Sequence, residues 1–89
     1  MAKHPENVEG YDGTLKDLAT AIGNMSYDQV ALFIQALSDD ILRQAHADLG
    51  RGRSKLAESL YATAESLNKA KEEMDKVWEI CEPYMKDKN

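Results

Sequence analysis

Apolar residues recur along this chain at spacings of three and four, so the pattern predicts helix wherever it is periodic. The longest stripe is Leu56, Leu60, Thr63, Leu67, Ala70, Met74, Val77, Cys81 and Tyr84. Ala, Leu, Glu, Lys and Met dominate this stretch, and no Gly or Pro falls between Ser54 and Pro83, which predicts one helix over 55–82 with Ser54 as its N-cap. A second stripe, Val30, Ile34, Leu37, Ile41, Ala45 and Leu49, predicts a helix over 27–49. Ser26 and Gln29 have the spacing of a capping box at its start, and Met25 and Val30 that of a hydrophobic staple. Ser38, Asp39 and Asp40 could recap or bend it midway.

Upstream, Thr14 opens a short helix over 14–22, whose Leu15, Leu18, Ala19 and Ile22 share a face and whose end is marked by Gly23 and Asn24. Residues 1–13 carry Pro5, Gly10 and Gly13 without periodicity and are expected to form a mobile arm, with Val8 and Tyr11 able to dock at its end. The organisation expected is this arm followed by one helical domain over 14–89.

The turn Gly50-Arg51-Gly52-Arg53 is short enough to force the two long helices antiparallel. Their stripes then pair in one register: 49 with 56, 45 with 60, 41 with 63, 37 with 67, 34 with 70 and 30 with 74. The second helix would span roughly 35 Å and the third roughly 42 Å at 1.5 Å per residue, so the third overhangs. Only the first helix is placed to fold back over that overhang. Leu32, Phe33 and Ala36 on one helix, and Tyr61, Ala64 and Trp78 on the other, remain apolar positions with no partner inside one hairpin. The fold class expected is therefore all-α, a long antiparallel helical hairpin plus a short N-terminal helix, with two copies combining into a four-helix-type bundle.

Composition narrows the chemistry. Eighty-nine residues make a thin core, and 16 acidic against 11 basic residues give a net charge of -5 that opposes general binding of nucleic acid. The single cysteine, Cys81, excludes an internal disulfide, and its place on the apolar stripe implies a buried thiol in a reducing compartment. No segment approaches the roughly 20 apolar residues of a membrane span, so a soluble cytoplasmic chain is expected.

No reactive cluster emerges. In the paired register His46 lies roughly 35 Å from Cys81, too far for a dyad within one subunit. No Glu-x-x-His pair or other metal-ligand spacing occurs, so no metal and no cofactor is expected. The one basic cluster, Arg43, His46, Arg51, Arg53 and Lys55 around the turn, makes Arg51, Arg53 and Lys55 a candidate anion site at a helix N-terminus. Its plainer role is to complement the dipole of the preceding helix.

The segment LKDLATAIGNMSYDQVALF, residues 15–33, resembles a helix-turn-helix, with Ala19 in the first helix and Gly23 in the turn. It departs from that family in a turn one residue longer and in offering Tyr27, Asp28, Leu32 and Phe33 where base and phosphate contacts need Arg, Lys, Asn or Gln. The hairpin outline also invites comparison with small secreted Trp-x-Gly helical hairpins, but Gly50-Arg51-Gly52 lacks the Trp, so that comparison falls and no family is assigned.

The expectation is a small non-catalytic helical interaction or regulatory module acting as a homodimer, with Leu32, Phe33, Ala36, Tyr61, Ala64 and Trp78 at the interface. The alternatives are a nucleic-acid or anion-binding regulator using the basic turn or the helix-turn-helix-like segment, and a ligand-binding bundle with a pocket between subunits.

Overall fold

The computed structural model describes residues 4–87, and the side chains of residues 4–84. Three helices account for most of it: α1 (Leu15–Gly23), α2 (Tyr27–Gly50) and α3 (Ser54–Asp87). α2 and α3 pack against each other along their length, and α1 touches α2 alone. The chain is a plate one helix thick, 53 × 29 × 14 Å.

Local chemistry explains the ends. α1 begins with a full capping box, in which the Thr14 hydroxyl accepts from the Asp17 amide and the Asp17 carboxylate accepts from the Thr14 amide. Ser26 does not form the box expected with Gln29. Its hydroxyl donates instead to Asp28, two residues on, and makes no bond to the amides of the first turn. Donating leaves the hydroxyl's lone pairs free, so it is the orientation set by the bond to Asp28 that keeps the oxygen from the amides.

α2 runs unbroken through Ser38, Asp39 and Asp40, because each side chain finds a partner that leaves the ladder intact. Asp39 accepts from Gln35, Asp40 from Arg43 and Gln44, and Ser38 bonds across to α3. At the turn, Gly50 remains helical and Gly52, at φ +81°, takes the left-handed conformation. The Arg53 carbonyl accepts from Ala57, so α3 starts one residue earlier than expected and Ser54 lies inside it. At its other end α3 passes through Pro83 to Asp87. Proline removes its own bond to the preceding turn and crowds the carbonyl four residues back, and here it stands exposed in the last turns of the helix, beyond α2.

The seam between α2 and α3 differs from the expected one in a single, consequential way. The register agrees within one turn: Gln35 bonds Asn68, Ser38 bonds the Ala64 carbonyl, and His46 bonds Tyr61. The faces, however, are rotated by one residue. The buried positions of α2 are Ala31, Ser38, Ala45 and Asp48, and those of α3 are Ala57 and Ala64; of these only Ala45 lay on the expected stripes through Leu37 and Thr63. Leu37, Leu49 and Leu56, all assigned to the seam by the apolar pattern, are 40 to 50% exposed.

Small residues explain the rotation. Ala31, Ser38 and Ala45 repeat every seven residues, as do Ala57 and Ala64, so both helices offer a row with no side chain beyond Cβ or Oγ. Backbones can approach most closely along such rows, and the larger Ile34, Ile41, Leu60, Leu67 and Met74 then flank the line of contact, half-buried. Ser38, 1% exposed, donates its hydroxyl to the Ala64 carbonyl at 2.8 Å, which satisfies the one buried hydroxyl of the seam.

Filling this row should break it. Ala64→Leu is expected to lose about 1 to 3 kcal/mol in urea unfolding through overpacking. A variant as stable as the wild type would place Ala64 away from the closest approach.

Candidate functional site

Because an antiparallel helix pair is related by a two-fold axis normal to its plate, rotating away from the seam in the same sense on both helices leads to the same side. One sense leads from Ser38 to Gln35 and His46 and from Ala64 to Tyr61 and Asn68, the side crossed by polar bonds. Gln35 Nε2 donates to Asn68 Oδ1 at 3.3 Å, and Tyr61 Oη lies 2.7 Å from His46 Nδ1 with the two rings edge to face.

The other sense leads to Val30, Ile34, Leu37 and Ile41 on α2 and to the stripe from Leu56 to Tyr84 on α3. Ser59, Ser66 and Trp78 lie beside that stripe, and none of these α3 positions carries a charge. The eleven charged side chains between Lys55 and Glu82 all fall on the remaining arc of α3. The stripe extends over about 28 residues, roughly 42 Å. Charge depletion over such a length distinguishes the core of an interface from ordinary surface.

This face is poorly covered. α1 docks at one end, against Val30, Phe33 and Ile34, and leaves an open, almost wholly apolar groove of about 380 Å³ between itself and α2. It does not fold back over the end of α3, as the apolar pattern suggested. The Asn24–Ser26 link returns α1 along α2, and nothing bridges to α3. The last dozen or so residues of α3 therefore stand beyond α2, with Val77 36%, Ile80 70% and Tyr84 69% exposed.

The six residues expected at an interface do not form one patch. Ala64, 3% exposed, is inside the hairpin and unavailable to any partner. Tyr61 is held by His46 on the polar-bonded side. Leu32 and Ala36 are exposed on the outer surface of α2, away from the seam, while Phe33 lines the groove under α1. Trp78 is half-buried on the charge-free face of α3. Leu37, Leu56 and Val77 belong to that face although the sequence pattern assigned them inward, and the heptad of small residues was the signal that would have redirected them.

The basic turn is already occupied by the protein's own carboxylates. Asp48, almost fully buried, faces Arg53 at 3.3 Å and Arg51 at 3.7 Å, and Arg43 is paired with Asp40 at 2.9 Å. His4, Arg43, Asp48 and Leu56 are among the residues around a cavity of about 350 Å³ there, and Lys55 stands exposed on the first turn of α3. Of the candidate anion ligands Arg51, Arg53 and Lys55, two thus share a buried counter-ion. An incoming anion would have to displace it.

His46 and Cys81 are not brought together. Tyr61, the partner of His46, lies 20 residues along α3 from Cys81, roughly 30 Å. Cys81 is a half-buried free thiol. Among the described residues no group of His, Cys, Asp and Glu converges as metal ligands, and no helix is long and apolar enough to cross a membrane. No family model matches the chain, and the comparisons with curated proteins and with solved structures gave no significant match.

Two expectations follow for the charged groups. Arg51 and Arg53 are both more than half exposed, so either Arg→Gln change alone should cost no more than about 1 kcal/mol in urea unfolding. The double change leaves Asp48 buried without a cation and should exceed the sum of the singles; strict additivity would contradict the shared pairing.

The second expectation concerns acid. Hydrogen bonds from Ser26 to Asp28, and from Arg43 and then Gln44 to Asp40, hold both carboxyls below the usual carboxylate range. Their contribution is complete above that range and is lost as pH falls through the lowered folded-state values. Asp28→Asn combined with Asp40→Asn should flatten the acid limb of the stability profile, and an unchanged limb would contradict the assignment.

Proposed function

We propose that the protein is a small, non-catalytic helical interaction module that works as a homodimer, the charge-free stripe of its α3, away from the basic turn at the Leu56 end, covered by that of a second copy. The observation that carries this reading is surface area. The chain exposes 7019 Å², whereas a compact monomer of 10.0 kDa exposes about 5,200 Å². The excess, about 1,800 Å², is shared among the exposed residues 4–10, the end of α3 and this face, and is large enough to include the roughly 800 Å² that each partner contributes to a standard stable interface. The radius of gyration points the same way, 16.2 Å against about 12 Å for a compact chain of this length.

A two-fold axis pairs the charge-free face with its own copy and gives a four-helix-type layer, flanked by the two α1 helices. Each Å² of apolar surface removed from water contributes about 25 cal/mol, so a face lined by Leu37, Leu67, Met74 and Trp78 can offset the entropy of association. The half-buried thiol and the absence of a membrane-length apolar helix among the described residues are compatible with a cytoplasmic setting. The alternative of an anion- or nucleic-acid-binding regulator is less favoured, because Arg43, Arg51 and Arg53 already have carboxylate partners.

Sedimentation equilibrium at micromolar concentration is expected to give a dimer. Leu37→Glu should convert it to a helical monomer by placing a charge in the apolar contact, while Leu32→Glu, on the outer surface of α2, should leave the dimer intact. A wild-type monomer, or dissociation by Leu32→Glu but not by Leu37→Glu, would overturn the reading.

A further inference from the structure

The cavity at the turn holds unused hydrogen-bonding capacity of both signs, gathered around one carboxylate. Asp48 is 9% exposed, and Arg51 and Arg53 both meet the same one of its oxygens, Oδ1, at 3.7 and 3.3 Å. Its Oδ2 has no partner among the described residues. No fully buried side-chain oxygen described is left without one, so Oδ2 is open, and the cavity is the space that Asp48 lines. Gln44, one turn before Asp48 on α2, donates its amide to Asp40 and leaves its Oε1 without a partner on the same lining. These are the acceptors. The Arg51 guanidinium donates no hydrogen bond among the described residues, and Arg53 donates one, to Asp48. Ala47, Leu56 and Leu60 add apolar surface to a space of about 350 Å³.

We propose that this cavity binds a zwitterion, a free α-amino acid with an apolar side chain. A lone anion drawn to Arg51 and Arg53 meets the Asp48 charge, and a lone cation drawn to Oδ2 meets two guanidiniums. An α-amino acid answers both at once, its ammonium on Asp48 Oδ2 and Gln44 Oε1, its carboxylate on the remaining N–H groups of Arg51 and Arg53. Asp48 keeps a cationic partner throughout, so its buried charge is never left unpaired. The opposed charges of the site lie only 3.3 to 3.7 Å apart, which an ammonium on the carbon next to the carboxylate matches and a longer zwitterion does not. The side chain lies against Ala47, Leu56 and Leu60, and the volume suits a small ligand, whose pockets begin at about 300 Å³. The ligand is neutral overall, so the net charge of -5 does not oppose it. The cavity is at the Leu56 end, which a second copy on the α3 stripe leaves open, and the inference does not rest on the dimer.

Titration of the isotope-labelled full chain with L-leucine into the millimolar range, followed by amide chemical shifts, tests the proposal. Saturable shifts are expected at Gln44, Asp48 and Arg51 to Leu56. Isocaproate, which lacks the ammonium, and isopentylamine, which lacks the carboxylate, should each bind at least about tenfold more weakly, because each leaves one charged side of the site unanswered. Arg51→Gln should weaken L-leucine by a similar factor in a chain that stays folded. Asp48→Asn should do the same, and Gln44→Ala tests the acceptor side should Asp48→Asn prove unfolded by circular dichroism. No saturable shift with L-leucine, equal binding of isocaproate or of isopentylamine, or undiminished binding to Arg51→Gln would each overturn the proposal.

Discussion

The contact on which the structure depends is the row of small side chains between α2 and α3. Ala31, Ser38 and Ala45 oppose Ala57 and Ala64, and the Ser38 hydroxyl meets the Ala64 carbonyl in the middle of the row. Such a seam fixes how near the helices lie and which way each is turned. It buries little apolar area: the only fully buried apolar residues described are four alanines. Stability must then come from the flanking isoleucines and leucines, which one hairpin half-covers, and from whatever covers their other side.

That constraint links packing to function. Had the helices met through Leu37, Thr63 and Ala70, the large side chains would have filled an ordinary two-helix core. Turning each helix by one residue places alanine at the contact and aims the large residues to one side of the plate. Polar bonds between Gln35 and Asn68 and between His46 and Tyr61 close the other side. The hairpin thus has a finished side and an unfinished one, and the unfinished side is the one from which α3 has removed every charge.

Much of this was legible in the sequence. The three helices, the antiparallel turn and the register followed from apolar spacing and from Gly50 and Gly52, because those signals are local and strong. The facing residues were not read correctly. Spacing alone identifies an apolar arc more than 100° wide, and within that arc the largest side chains draw attention although the smallest allow closest approach. The same ambiguity explains the interface residues: Ala64 looked surplus because Thr63 had been given its place. The capping of α2 was misread for another reason, since the Ser26 side chain can turn toward Asp28 or toward the amides of the first turn, and spacing alone does not decide its orientation.

The most direct test is methyl NMR with a soluble paramagnetic probe, recorded as the chain is diluted through the micromolar range. The methyls of Ala31, Ala45, Ala57 and Ala64 should stay protected at every concentration, whereas those of Leu37 and Val77 should be protected when concentrated and become relaxed by the probe on dilution. Relaxation of the Ala64 methyl at all concentrations, or Leu37 and Val77 signals indifferent to dilution, would contradict the account.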